Sequence, residues 1–402
     1  MSTIKAINVQ HPSSATINIV NDSSGNVTVG NNLTVAGTGS ITGTLGVTGT
    51  VAMGSSFKRN RIINGNMVID QRNAGASGTT VNAFTVDRWT YQASQASKGT
   101  WGQNLNSVSP VSATAQSSYL GFQSSSAYSV LSSDAFSFYQ PIEGFNCYDL
   151  QWGTVNAKTV TLSFWVYSSL TGTFGGSLKY YGLNISYPFS YTVSSANTWT
   201  FVTITIPGYV TTALPSSMSG GALVVNIGLG VGTTQSGTAG SWATSAYISA
   251  TGAVSVVGTN GATFYITGVQ LEVGTKATPY EMQIYSDQLA QCQRYFTKSY
   301  NIDVAPGTVT YAGSLAAFSP TSSASRPVIP IFFPVSMRTA PTLTAYSPNN
   351  GATGNFYNND ATANFAVQTT INTGSSGASW LPSGTMTANA FFTGHWTASA
   401  EL

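Results

Sequence analysis

Charge is what this sequence has least of. Only 6% of its 402 residues are Asp, Glu, Lys or Arg, against about 25% in ordinary soluble domains. Hydrophobic residues still make up 42%. Disorder by charge is therefore excluded, because disordered chains pair low hydrophobicity with high charge. The net charge is +2 and no extended basic face is present. The one basic cluster, Lys58, Arg59 and Arg61, reads as a solvated or interchain feature, so no nucleic-acid partner is expected. Two cysteines, Cys147 and Cys292, are too few for a disulfide scaffold in 402 residues. With two histidines, His11 and His395, they also make a Cys/His metal site an unlikely use of this inventory. Calcium held by backbone and Asp or Asn oxygens stays open, with no legible ligand loop. No apolar run approaches the length of a membrane span, and the opening MSTIKAINVQHPSS has no apolar signal core. No membrane insertion and no signal-led export are expected.

Acids are scarce enough to constrain catalysis. There are twelve. Retaining glycosidases need two carboxyls about 5 Å apart, and inverting ones roughly 6.5–9.5 Å. Asp134 with Glu143, or Asp70 with Asp87, stay open as such pairs. Asp87 adjoins Arg88, which favours a structural ion pair. HExxH, a Walker-type loop and GxSxG are all missing. GLGVG at 228–232 follows a strand without a helix pattern after it, so it reads as a turn or bulge. No catalytic residue, metal or cofactor is assigned.

What fills the chain is Gly, Ser, Thr, Asn, Val and aromatics, a strand-and-turn composition. The stretch at its centre runs from Gly268 to Phe296. Val269, Leu271 and Val273 alternate as in a half-buried strand. Beyond Pro279 the period turns helical. Tyr285, Leu289, Cys292 and Phe296 are spaced by four, three and four, a short a/d seam. Ser286 is placed to cap this helix and Asp287 suits its N-terminal end. Arg294 and Lys298 suit its C-terminal end.

Four segments follow. Residues 1–55 carry very short strands between glycine turns, and LTVAGT at 33–38 recurs as LGVTGT at 45–50. No single copy buries its apolar face, so three chains wound about one axis are expected. Residues 56–283 hold eight to ten strand patterns. This is the signature of an antiparallel sandwich or jelly roll. Ile63, Met67 and Ile69 are expected on a strand with Asn64-Gly65 as a turn, and 84–89 is expected as the next strand. In 160–167, Val160, Leu162, Phe164 and Val166 share one face. Trp165 and Tyr167 lie on the other, either under a loop or as a sugar-stacking surface. Residues 284–297 are the linking helix. Residues 298–402 suffice for a small second β-sandwich.

Two loops are expected in that last segment, NNGATGNFYNND at 349–360 and SSGASW at 375–380. Sugars are held by flat aromatic faces together with amides and carboxylates. Phe356, Tyr357, Asn358, Asn359 and Asp360 supply both kinds, and Trp380 lies in the second loop. The alternative is that Phe356 and Tyr357 anchor their loop to its own domain.

RNRIINGNMVIDQRNAG with FTVDRW downstream resembles the opening of the carbohydrate-binding-module-like jelly roll of tailed-bacteriophage tail fibres and receptor-binding proteins. GVQLEVGTKATPYE followed by CQRYF resembles its closing strand and the helix after it. MRTAPTLT and the terminal WTASAEL resemble the small C-terminal domain of such fibres. The IKAINVQHPSSATINI opening is similar to fibre N-termini. The resemblance implies a homotrimer on the virion tail, attached to other tail or baseplate proteins through residues 1–55 and released on host lysis.

The sequence therefore predicts an all-β chain: trimeric β stem, antiparallel jelly-roll body, short helix and small C-terminal β-sandwich. The function expected is a non-enzymatic trimeric adhesin binding host surface polysaccharide through its C-terminal loops. Tyr285, Leu289, Cys292 and Phe296 are expected at the trimer seam. A purely structural virion appendage and a polysaccharide depolymerase are the alternatives.

Overall fold

The computed structural model describes residues 8–9, 19–21, 27–29, 58–111, 116–319, 328–382 and 389–402. The chain forms two compact units, Met1–Gly54 and Ser55–Leu402. In the first, β1 (Asn8–Val9), β2 (Ile19–Asn21) and β3 (Val27–Val29) pair antiparallel in sequence order. The repeat at 33–38 and 45–50 lies outside the described residues.

The second unit begins with a two-sheet sandwich. Its strands are β4 (Ala83–Val86), β5 (Trp89–Ala93), β6 (Gly99–Gln103), β7 (Leu120–Ser124), β8 (Ala135–Glu143), β9 (Val160–Ser168), β10 (Gly172–Tyr180), β11 (Ser186–Val193), β12 (Thr200–Ile206) and β13 (Gly221–Val231). Short β14 (Ser236–Gly237) and β15 (Ser249–Ala250) pair in parallel, and β16 (Thr263–Val273) closes the sandwich. One sheet has the order β11-β10-β13-β8-β5-β4, the other β12-β9-β16-β7-β6. Every pairing within them is antiparallel.

The alternation in β9 is the reason the two sheets meet. Val160, Leu162, Phe164 and Val166 are fully buried against the opposite sheet, while Trp165 and Tyr167 point away. Aromatic rings fill much of the core. Phe164 meets Tyr191 edge-on at 5.1 Å and Tyr91 meets Phe138 at 6.0 Å. In β13 both faces are buried, because the segment carrying β15 covers the outer one. GLGVG makes room for that cover: a Cβ on Gly228 would lie 2.7 Å from Ser249 Oγ. The register against β8 also shifts between Gly228 and Gly230, a bulge.

The hydroxyls of Tyr91 and Tyr191 are buried without a hydrogen-bond partner, and burial pushes both well above the ordinary tyrosine range. An orphaned buried hydroxyl carries its full desolvation cost. Tyr191→Phe should therefore stabilise the protein by about 1 kcal/mol. Chemical denaturation monitored by fluorescence checks this, and a loss of stability would mean the hydroxyl has a partner.

Three expectations need correction here. Residues 63–69 form no strand. They wind irregularly because Asn64 supplies what a strand partner would: its Nδ2 donates to the Ile69 and Asp87 carbonyls, and its Oδ1 accepts from Ile69 N. The 84–89 stretch is a hairpin, β4 and β5, with Asp87 and Arg88 at its turn. These two neighbours do not pair with each other. Asp87 accepts from Gln71 and faces Arg72 at 3.8 Å, and Arg88 pairs with Glu401.

The third correction concerns the helix, α1 (Tyr285–Gln293). Its N-cap is Ile284, without a side-chain cap, so Ser286 lies inside the first turn. Cys292 is buried with Ile63, Ile69 and Tyr295 of the same chain, and Leu289 packs on that group. Phe296 begins the next strand, under the Arg72 guanidinium at 3.8 Å. Only Tyr285 is largely exposed. Nine residues are too few for a stable isolated helix. Packing on the irregular 63–69 stretch supplies the apolar partner expected from neighbouring chains.

The last eight strands are β17 (Phe296–Lys298), β18 (Leu315–Phe318), β19 (Ile329–Phe332), β20 (Thr342–Tyr346), β21 (Asn355–Asn358), β22 (Ala363–Ile371), β23 (Gly377–Pro382) and β24 (Phe391–Ser399). All are linked through β24, whose first half pairs with β18 and β21 and whose second half pairs with β17 and β20.

Charged groups knit this sheet to the sandwich. Glu143 accepts from Arg294 Nε at 3.0 Å, Arg294 Nη2 at 2.5 Å and Tyr295 Oη at 2.5 Å. Lys298 donates to the Gln71, Ile302 and Val304 carbonyls, and burial lowers its pKa to about 8. Burial likewise pushes Asp87 up to about 6, against the pull of Arg72 and Gln71. Arg294 thus answers buried Glu143 of the sandwich, and Lys298 answers the Gln71 carbonyl and two carbonyls of its own segment, rather than the helix C-terminus.

Candidate functional site

Of the residues expected in C-terminal loops, Phe356, Tyr357, Asn358 and Trp380 are strand residues, and Asn359 and Asp360 lie in the turn after β21. NFYN is β21, and SSGASW runs into β23. Phe356 and Trp380 are each 2% exposed and meet edge-to-face at 5.2 Å in the core of the last sheet. Gly394 makes space for the Phe356 ring, since a Cβ there would lie 2.0 Å from Phe356 Cδ1.

The polar members hold the turn after β21. Asn358 Oδ1 accepts from the Asp360 and Ala361 amides at 3.0 Å. Asn359 Nδ2 donates to Thr393 Oγ1, and Asp360 Oδ2 accepts from Phe391 N at 2.6 Å. Among the aromatic members Tyr357 alone keeps partial exposure, while Asn359 is half-buried and Asp360 exposed. The apolar requirement of a second core layer has taken the aromatics that sequence reasoning gave to a sugar. Phe356→Ala should therefore act on stability, by about 3–5 kcal/mol, and leave glycan retention of the folded protein unchanged. Denaturation and binding measured on the same preparation separate the two effects.

The structure brings aromatics together elsewhere, on the outer face of the five-stranded sheet. Register does this. Phe201 of β12 lies opposite Trp165 of β9, and Tyr265 of β16 lies opposite Tyr167. The Trp165 and Phe201 rings are 5.1 Å apart, Tyr167 and Trp199 5.5 Å, and Tyr167 and Tyr265 5.4 Å. A cleft of about 600 Å3 opens over Trp165, Tyr167 and Trp199, walled by residues 108–111 and by Asn197 and Thr198.

Hydrogen bonds hold the rings in place. Trp199 Nε1 donates to the Ser109 carbonyl at 2.9 Å, and Asn106 Nδ2 donates to Tyr265 Oη at 3.0 Å. Tyr119 Oη accepts from Val108 N at 2.6 Å. No lining residue of this cleft carries a formal charge. Half-exposed, fixed, uncharged rings beside amide and hydroxyl groups suit a neutral ligand with both C–H faces and hydroxyls. Sequence reasoning found Trp165 and Tyr167 but missed Trp199 and Phe201. The signal was present in WTF at 199–201, yet only the strand pairing says whose neighbours they are.

A mixed-charge cavity of about 350 Å3 lies beside α1, with Lys58, Arg61, Glu143 and Arg294 in its walls. Among the described residues no three His, Cys, Asp or Glu side chains gather as a metal site would require. No helix among the described residues is long and apolar enough to cross a membrane.

The site and fold together define a β-sandwich protein of the jelly-roll class with an aromatic cleft on one sheet. Solved structures with similar folds include three of differing context. The enzymatically active domain of tailspike protein 4 from bacteriophage CBA120 is 14% identical with a TM-score of 0.29. The match covers 54% of this chain and 22% of that one. A carbohydrate-binding module, TmCBM61, in complex with β-1,4-galactotriose is 11% identical with a TM-score of 0.28, covering 54% and 99%. The family 11 carbohydrate-binding module from Clostridium thermocellum, in complex with a β-1,3-1,4-mixed-linked tetrasaccharide, is 10% identical with a TM-score of 0.25, covering 50% and 98%. No family model matches the sequence, and no curated protein does.

Proposed function

We propose that this chain is a non-enzymatic, homotrimeric adhesin of a bacteriophage tail fibre that holds host surface polysaccharide on the outer face of its five-stranded sheet. The observation that carries the binding reading is the uncharged cleft over Trp165, Tyr167 and Trp199. A pyranose presents a flat C–H face to such rings and hydroxyls to their rim. The binding site thus moves from the C-terminal loops to the sandwich. The phage setting rests on the motifs that resemble fibre proteins, with residues 1–55 as the attachment to other tail proteins. Weak single-site affinity is compatible with adhesion because three copies on one axis raise the effective concentration of sites.

The absence of enzymatic action is supported by where the carboxylates lie. The aromatic cleft has none, and the 350 Å3 cavity has only Glu143, already engaged by Arg294 and Tyr295. Asp134 accepts from Ser94, Tyr128 and Leu131, and Asp70 from Asn73 and Gly75. The test uses purified protein and host capsule or lipopolysaccharide. Retention without new reducing ends is expected, from a species about three times the 41.9 kDa chain mass. New reducing ends would make it a depolymerase, absence of retention would leave only a spacer, and a single-chain mass would remove the trimer.

A further inference from the structure

A second cavity, of about 760 Å3, lies between the β8–β9 and β12–β13 connections, away from the aromatic cleft. Its apolar side includes Trp152, Leu214 and Met218, and its polar side includes Tyr148, Asp149 and Lys158. Trp152 is fixed: its Nε1 donates to the Lys158 carbonyl at 2.7 Å, and its ring stacks on Tyr180 at 5.9 Å. Tyr148 is 75% exposed, on a single 3-10 turn (Tyr148–Leu150) anchored by buried Cys147 and Leu150. Asp149 is oriented through one oxygen only. Its Oδ2 accepts from Arg61 Nη2 at 2.6 Å and lies 3.9 Å from Lys158 Nζ. Its Oδ1 has no hydrogen-bond partner among the described residues.

The chemistry differs from that of the aromatic cleft. An open ring, a free carboxylate oxygen, an ammonium group and an apolar recess converge here. A plain hexose satisfies the ring and the polar groups but leaves the recess unfilled. An acetamido sugar answers all four: its methyl enters the recess and its N–H donates to Asp149 Oδ1. Its carbonyl accepts from Lys158 Nζ, and its ring face covers Tyr148. We infer that this cavity is a second saccharide subsite, selective for N-acetylated hexosamine. The inference rests on the reading of the sandwich as a glycan binder, but uses none of the residues of the aromatic cleft.

Saturation-transfer NMR on the full chain tests it, with N-acetylglucosamine and N-acetylgalactosamine at millimolar concentration against glucose and galactose. The acetyl methyl of at least one N-acetylated sugar should receive the largest share of saturation. Tyr148→Ala should weaken its binding at least tenfold with an unchanged melting temperature, since the ring is exposed. Lys158→Ala should weaken it too, and Trp199→Ala should not. Equal transfer to the plain hexoses, no methyl signal for either N-acetylated sugar, or an unaffected Tyr148→Ala variant each overturns the proposal. The two readings fail separately. Loss of polysaccharide retention in Trp199→Ala without a methyl signal keeps the cleft and removes this subsite. A methyl signal with intact retention in Trp199→Ala does the reverse.

Discussion

Replacing Trp165 and Trp199 together with alanine is expected to abolish retention on host polysaccharide while leaving the fold intact. Both rings are half-exposed, so removing them opens no sealed core cavity. Aromatic anchors at the centre of a binding surface commonly cost about 2 kcal/mol each when truncated, roughly 30-fold in affinity. Their nearest ring partners differ, Phe201 for Trp165 and Tyr167 for Trp199. Near-additivity is therefore expected, giving a loss on the order of 1,000-fold per site. Trimerisation would amplify it further through avidity. Trp165→Phe should restore part of the binding, because a smaller flat face remains. Isothermal titration with size-selected polysaccharide reads these values. Unchanged affinity in the double variant, with native circular dichroism, would remove the cleft as the binding surface.

Glu401→Ala carries an expected cost in stability as large as that of Phe356→Ala. Arg88 is 1% exposed, and both terminal nitrogens of its guanidinium are engaged while Nε has no partner. Its Nη1 pairs with Glu401, its Nη2 donates to the Pro141 carbonyl, and its guanidinium lies 3.6 Å over the Tyr295 ring. Arg72 Nη2 shares the same carboxylate at 3.1 Å. Removing Glu401 leaves a buried cation without its counter-charge, which costs about 3–5 kcal/mol. Spread over the unfolding entropy of the Ser55–Leu402 unit, that is a fall of about 4–7 °C in melting temperature. Arg88→Met combined with Glu401→Leu should recover most of it, since an apolar pair of similar volume escapes the desolvation cost. Differential scanning calorimetry of the parent and the two variants decides the matter. If Glu401→Ala melts like the parent, the last sheet is not tied to the sandwich through this pair.

The same pair shows where local pattern stops being informative. Arg88 and Glu401 are 313 residues apart, and nothing near either one names its partner. The adjacent Asp87–Arg88 pair looks like the natural match in sequence, yet the hairpin turn sends the two side chains to different neighbours.

What the sequence by itself determined is whatever repeats at short range. The all-β class followed from composition and from period-two alternation. In 160–167 that alternation also told inward from outward residues correctly, because one face of that strand meets an apolar sheet and the other does not. The short helix was legible from the spacing of Tyr285, Leu289 and Cys292, while Phe296, the last of that pattern, lies beyond its end. The tertiary structure alone decided what those elements face. The helix seam found its partner in Ile63 and Ile69, in a stretch whose strand-like pattern hid an irregular path set by Asn64. β21 and β23 were hidden by the Asn, Gly and Ser around them, and their aromatics went to a core that no local pattern announces. The cleft over Trp165, Tyr167 and Trp199 exists because β12 pairs with β9 in one register and no other. A shift of one residue would turn Phe201 to the opposite face of the sheet. Hydrogen-bond register between distant segments therefore decides which aromatics stand together, and short-range periodicity carries no record of it.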